Sequence, residues 1–380
     1  MFSFSRWLVF LALVAACYSR RLNSLPRKNH IMGPEVSVNE ETLILTHVIF
    51  RHGNRTVDNK AELYPKDPYL EETYQPYGKG QLTNAGKRKE FSIGTALRSR
   101  YDYFLGDQYY PNIIEAVSTD YNRTKMSLQL VLAGLFPPQE DSMWKDGLYW
   151  QPVPYNYHQR HQDKVLLGTL CPKYLELYDE VSNSAEMLEE FAKFKETFDY
   201  ISEHTGLKVT RFYDVYNLYF GISTEEEWGF QLPEWTETVW PETITTLAIK
   251  DYFVAMARTE MRKMATGYFL NKVLEDTKAK IFSSLQPGRK MHLYSAHENN
   301  IAELLISLGV FEPHVPNYGA YVILEIHRVD NVYGVMIFYE NYDGDGPRRL
   351  KMPECEVFCP LDKFMTLVQD YIPPDDLCGR

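Results

Sequence analysis

The chain has 380 residues, with 40 Lys and Arg against 51 Asp and Glu, for a formal charge of −11. That balance argues against a general nucleic-acid binder, which needs a basic face for phosphates. Hydrophobic residues at 44% and charged residues at 24% exclude wholesale disorder, and the length fits two or three domains with a large buried core.

The chain opens with Arg6, an apolar run from Trp7 to about Ala16, small residues, and then Arg20-Arg21. This is the layout of a secretory signal peptide over about 1–19, and its apolar run is only half the roughly 20 residues a spanning helix needs. Thr42–Phe50 is a short β-branched run, predicted to be a strand buried on both faces. Thr83 reads as the N-cap of a helix to about Tyr103. Ala116–Ser118 follows as a strand, then a helix from about Thr124 to Leu135 that Pro137-Pro138 ends. Glu186–His204 and Thr245–Asp276 read as helix-rich, Met291–Ala296 as a buried strand and Asn299–Leu308 as a helix. Tyr321–Arg328 and Val332–Glu340, either side of Asp330-Asn331, read as a β-hairpin. The expectation is an α/β fold: a mixed, mainly parallel central sheet flanked by helices, formed by 40–160 and 261–380, with an all-α cap at 161–260.

Cys17 falls in the signal segment, which leaves Cys171, Cys355, Cys359 and Cys378 for an oxidising compartment. Four cysteines allow three pairings. A tight local bridge could close Cys355 to Cys359, and Cys171 would then join Cys378. A metal site is the competing reading, but Cys355-x3-Cys359 has no nearby His or second close pair to complete a tetrahedron.

Three polar clusters end buried strands: Arg51-His52-Gly53-Asn54-Arg55-Thr56, Ser118-Thr119-Asp120-Tyr121-Asn122-Arg123-Thr124, and Ser295-Ala296-His297-Glu298. Open α/β sheets bind ligands at the carboxyl ends of their strands, so one pocket could collect all three. Arg51, Arg55 and Arg123 suit phosphate oxygens because guanidinium forks bind them bidentately. A histidine among arginines resists a second positive charge, which favours His52 in its neutral, nucleophilic form. The Gly53 carbonyl could take one ring N–H, and Glu298 could protonate a leaving oxygen. His47, His292 and His327 lie in strands and read as structural; His158 and His161, beside Arg160, could line a pocket rim. Both glycosylation sequons, Asn54-Arg55-Thr56 and Asn122-Arg123-Thr124, carry a site arginine at their centre, so both are expected to stay unmodified.

These motifs, with Leu82-Thr83-x2-Gly86, Asp120-x2-Arg123-Thr124, Tyr294-Ser295-x-His297 and Cys355-x3-Cys359-Pro360, resemble the histidine acid phosphatase family across the mature chain. Tyr64–Tyr69, Arg123–Leu132 and Pro313–Pro316 are similar to segments of its secreted insect and venom members. The resemblance implies a phosphoglycerate mutase-like fold, His52 as the nucleophile that becomes phosphohistidine, and Arg51, Arg55, Arg123 and His297 as phosphate ligands. It also implies the pairings Cys171–Cys378 and Cys355–Cys359. Two departures stand out: Val57 where the family usually has Pro, and Glu298 where the proton donor is usually Asp. The reading is a secreted acid phosphatase acting on small phosphate monoesters, with no metal, cofactor, nucleic acid or membrane span, and with a homodimer left open. The alternatives are a weakly active or inactive phosphate-binding, allergen-like protein, or a phosphatase specialised for inositol phosphates or lysophospholipids.

Overall fold

The computed structural model describes residues 40–58, 61–374 and 377–378. The expected signal segment lies outside the described residues. Leu43–Arg51 (β1) is the central strand, buried from Leu45 onward. Asn84–Arg100 (α1) follows, its first turn closed by the Thr83 hydroxyl, which accepts from the Gly86 N–H, and its last turn carrying Arg98 and Arg100 against the helix dipole. Ile114–Ser118 (β2) leads into Asn122–Leu135 (α2), and Asn156–Tyr157 (β3) is a two-residue edge.

Five helices fill the middle of the chain: Pro172–Ser182 (α3), Ala185–Ala192 (α4), Lys195–Thr205 (α5), Phe212–Trp228 (α6) and Glu242–Ala255 (α7). They share an apolar cluster that includes Phe198, Ile201, Phe212, Val215, Ile244 and Leu247. Tyr268–Ile281 (α8) returns the chain to the sheet, followed by Met291–Ala296 (β4) and Glu298–Ser307 (α9). Tyr321–Val329 (β5) and Val332–Glu340 (β6) form the expected hairpin through Asp330 and Asn331, whose φ angles of 48° and 64° match a primed turn. Arg348–Leu350 (β7), Cys359–Pro360 (β8) and Leu361–Val368 (α10) close the described fold.

The strands run in the order β3-β2-β4-β1-β5-β6-β7, with β8 also on β6. The sheet is mixed, as expected, but "mainly parallel" describes only one half. Among the described residues β1–β4, β2–β4 and β2–β3 are parallel, whereas β1–β5, β5–β6, β6–β7 and β6–β8 are antiparallel. For β5–β6 the cause is local, because a tight turn can only return its strand antiparallel, whereas a parallel partner needs a long crossover; β1–β5 joins strands distant in the chain. Alternation along β1 sends Leu45 and Ile49 to one face, where α8, α9 and α10 pack, and Val48 and Phe50 to the other, under α1 and α2. Each such fully buried side chain contributes roughly 1.5–3 kcal/mol relative to exposure.

Both expected disulfides are present. Cys171–Cys378 joins the start of α3 to the far end of the chain, 207 residues away, and Cys355–Cys359 closes a local loop. Among the described residues no helix is long and apolar enough to cross a membrane.

Candidate active site

Strand register sets the site. Arg51 on β1 lies beside Ala296 on β4, and Ser118 on β2 lies beside Ser295, so three parallel strands end at one level. The chain after each end carries one of the three polar clusters, and all three meet. A cavity of about 200 Å³ there is lined by His52, Arg55, Arg123, His297 and Glu298, among others. Arg51 joins them from behind, its Nε 3.6 Å from a Glu298 carboxylate oxygen.

Close backbone approach explains the glycine after His52. A Cβ on Gly53 would meet the Gly86 carbonyl oxygen at 2.6 Å, and one on Gly86 would meet the Asn54 carbonyl oxygen at 2.3 Å. Two glycines therefore let the His52 loop rest on the first turn of α1. The sequence places α2 from Thr124, but it starts at Asn122, so Arg123 sits in its first turn rather than before it. Tyr121 at the cap makes no side-chain hydrogen bond, which leaves no sequence marker for that start.

His52 is 1% exposed. Its Nδ1 lies 2.9 Å from the Gly53 carbonyl oxygen, and its Nε2 accepts from the Arg123 Nε–H at 3.1 Å. Nδ1 therefore carries the proton and Nε2 the lone pair. Burial, then Arg123, His297, Arg51 and Arg55, hold its pKa well below the usual 6.5. His297, the residue before α9, is pushed down to about 3 by burial and Arg123; its Nε2 lies 3.0 Å from the Thr119 hydroxyl. The two imidazoles meet edge to face at 5.4 Å.

The arginines are partly committed. Arg55 makes a bidentate pair with Glu62 at 2.7 and 2.8 Å. Arg123 reaches Asp58 at 3.1 Å. Arg51 donates to the Pro316 carbonyl at 2.6 Å and lies over the Tyr318 ring at 3.8 Å. Yet Nε and Nη2 of Arg51 and Nε of Arg55 are buried without a hydrogen-bond partner. Buried donors left unmade are costly, and a tetrahedral oxyanion would satisfy them. Burial alone would raise the Glu298 carboxyl, but Arg51 and His297 outweigh it, and the pKa falls to about 2; Tyr216 also donates its hydroxyl to Glu298 at 2.5 Å.

Sequence reasoning missed Asp58, Glu62, Tyr216 and Tyr318, and named Thr119 only as a member of its cluster, without its contact to His297. Asp58 and Glu62 are three and seven residues after Arg55, so a search for its counter-charges could have found them. Tyr216 is 82 positions from Glu298 on another helix, and nothing local announces it. The rim histidines fall outside: His158 and His161 are exposed and line no part of this cavity. Their neighbour Arg160 does brace its edge, donating to the Asp120 carbonyl at 2.9 Å.

One group of potential metal ligands exists among the described residues: His47, Asp276 and His292, with ligand atoms within 4.8 Å of one another. The two imidazoles stack face to face at 4.6 Å and 10°, so their lone pairs lie in parallel planes instead of converging. The Lys272 ammonium already holds Asp276 at 2.7 Å. His47, His292 and His327 are all buried in the sheet, as the sequence suggests.

Set beside known proteins, the chain matches the model of the Histidine phosphatase superfamily (branch 2) over residues 42–340, and it belongs to that family. It is 37% identical over 337 residues to venom acid phosphatase Acph-1 of Apis mellifera, covering 88% of this chain and 87% of that one. It is 31% identical over 337 residues to human lysosomal acid phosphatase, covering 86% and 78%. The fold is similar to that of the phytase from Citrobacter braakii, with a TM-score of 0.64 at 15% identity over 89% of this chain and 99% of that one.

Proposed function

We propose that this chain is a secreted acid phosphatase that hydrolyses phosphate monoesters in two steps through a phosphohistidine on His52. The observation that carries the reading is the His52 imidazole, kept neutral with Nδ1–H on the Gly53 carbonyl and Nε2 on the Arg123 Nε–H, in a cavity that Arg55, Arg123, His297 and Glu298 also line. The phosphoryl group takes the unpartnered N–H groups of Arg51 and Arg55, and Arg123 moves its Nε–H from His52 to a phosphoryl oxygen. His297 and the N-termini of α2 and α9 add donors and partial positive charge.

In the first step Nε2 attacks phosphorus in line, the P–O ester bond breaks, and Glu298 gives its proton to the leaving alcohol. In the second, the Glu298 carboxylate takes a proton from water as that water attacks phosphorus. The P–N bond breaks, and phosphate and neutral His52 are restored. The empty site holds Glu298 ionised, near pKa 2. A phosphoryl dianion beside Arg51 cancels the charge that depresses it, so substrate binding raises the Glu298 pKa towards a working acid. Since the acid must be protonated, turnover falls as pH rises above the value Glu298 reaches in the complex, which gives an acidic optimum.

The catalytic groups come from 40–160 and 261–380. Tyr216, Phe220, Leu167, Thr169 and Leu170 close the cavity from 161–260, which supports a catalytic α/β domain under a helical cap. Two disulfides and a venom relative support secretion after removal of about 1–19. N-terminal sequencing of the exported protein tests that cleavage.

Hydrolysis of an aryl phosphate at about pH 5, wild type against His52→Ala, tests the activity. Rapid-quench labelling should place an acid-labile phosphate on His52; equal rates in both proteins, with no label, would overturn the reading. One observation favours a slow enzyme over a fast one: Asp58 and Glu62 already occupy Arg123 and Arg55, and substrate must compete with them.

A further inference from the structure

A second cavity, about 400 Å³, lies between α3, α6, α7 and α9. It shares Thr169, Leu170, Tyr216 and Asn299 with the lining of the phosphate cavity, so the two adjoin. Tyr216 forms the partition, its hydroxyl on Glu298 and its ring on the neighbouring space. Along α9, Glu303 follows Glu298 by five residues, a rise of about 7.5 Å. Because the two cavities share Tyr216 and Asn299, a leaving group protonated at Glu298 can extend into the space that Glu303 lines.

The walls are aromatic and their floor is acidic. Tyr174, Tyr178, Tyr216 and Tyr252 line the space together with Asp251 and Glu303. Glu303 is 2% exposed; one of its oxygens accepts from Asn299 at 3.2 Å, and the other is buried without a hydrogen-bond partner. The Tyr252 hydroxyl is likewise unpartnered. Asp251 is 6% exposed and accepts from the Tyr178 hydroxyl. The lining holds one cation, Arg211, and its half-exposed guanidinium lies 3.9 Å from Asp214. Space of this size is well above that of a single water, about 30 Å³.

We propose that this cavity is the leaving-group subsite of the phosphatase and that it takes alcohols bearing a primary ammonium, which Glu303 and Asp251 bind while the tyrosine rings pack on the carbon frame. Tyrosine faces attract cations, and two buried carboxyls supply the counter-charge. Unpartnered acceptors need N–H donors, so a primary ammonium fits them and a quaternary one does not. In the empty pocket burial pushes Glu303 up to about 8 and Asp251 up to about 7, so at and below neutrality they are largely protonated; a bound ammonium draws both down and releases a proton as the counter-charge forms.

The proposal rests on the phosphatase reading, and the test separates the two. The probes are 4-(2-aminoethyl)phenyl phosphate and 4-ethylphenyl phosphate, which differ only in the ammonium, assayed at about pH 7. Wild type is expected to favour the ammonium ester in kcat/KM by roughly tenfold. Glu303→Gln, nearly isosteric, should reduce that preference to below about threefold and leave the neutral ester within about twofold. Equal kcat/KM for both esters in wild type, or an undiminished preference in the variant, overturns the subsite. If neither ester is hydrolysed, the phosphatase reading fails by itself. The subsite is then decided by titrating tyramine against 4-ethylphenol: it stands if tyramine binds more tightly and Glu303→Gln removes the difference, and it falls otherwise.

Discussion

Strands β1 and β4 each carry two histidines, and the pairs have opposite surroundings. His47 and His292 lie side by side within the strands, and His52 and His297 lie just past the strand ends. All four are buried, and burial holds all four pKa values down. The inner pair is stacked in the core with its ring nitrogens unpartnered and its nearest carboxylates 3.5 Å away or more. The outer pair has one ring nitrogen each held by a carbonyl or hydroxyl and opens on a cavity among arginines. A low histidine pKa is thus no mark of catalysis in itself. What separates the pairs is an oriented lone pair, a space in front of it, and charge to receive the product.

The largest effect that would sharpen this contrast is His52→Ala. It should lower kcat on an aryl phosphate by at least about 10⁴-fold, read by steady-state assay, because no other group supplies the nucleophile. Glu298→Gln comes next. An alkyl phosphate, whose leaving group needs a proton, should lose about 10²–10³-fold, and 4-nitrophenyl phosphate distinctly less. Equal losses on both esters would remove Glu298 from the proton-donor role.

His47→Leu probes the inner pair. Its activity should stay within about twofold of wild type, and a collapse without unfolding would break the comparison. Its signature is in stability. The folded pKa of His47 is about 3 against an ordinary 6.5, so its contribution is complete above pH 6.5 and is lost as pH falls towards 3. At pH 5 that loss is about 2 kcal/mol. Thermal melts between pH 7 and 5 should therefore drop less in the variant than in wild type. The smallest expected effect is no change at all. Mass spectrometry should find Asn54 and Asn122 without glycans. Asn54 is half-buried with its amide on Glu227 at 3.1 Å, and Asn122 adjoins Arg123. A glycan on either would contradict the site assignment.

Elements with a strong local signal were legible. β4 coincides with the expected Met291–Ala296, and β6 with Val332–Glu340. Thr83 caps α1, as expected of a threonine just ahead of the helical run. The start of α2 was not legible, because its cap residue makes no side-chain bond, and β7 and β8 are too short to show a period. Within the site, Arg51, His52, Arg55, Arg123, His297 and Glu298 were each visible because they cluster within a few residues of strand ends.

The sequence by itself therefore determined which chemistry is carried: three arginines, two histidines and an acid, placed after buried runs, inside an acidic chain. Only the tertiary structure decided their states. Strand register brought three distant segments to one level, the Gly53 carbonyl chose the His52 tautomer, and Arg51 drew the Glu298 pKa below its ordinary range against the pull of burial. It alone revealed Tyr216 on Glu298 and the tyrosine-lined space behind it. The physical reason is range. Propensity and motif spacing act within a few residues, whereas a pKa, a hydrogen-bond partner and a cavity depend on every chain segment that folding brings within a few ångströms.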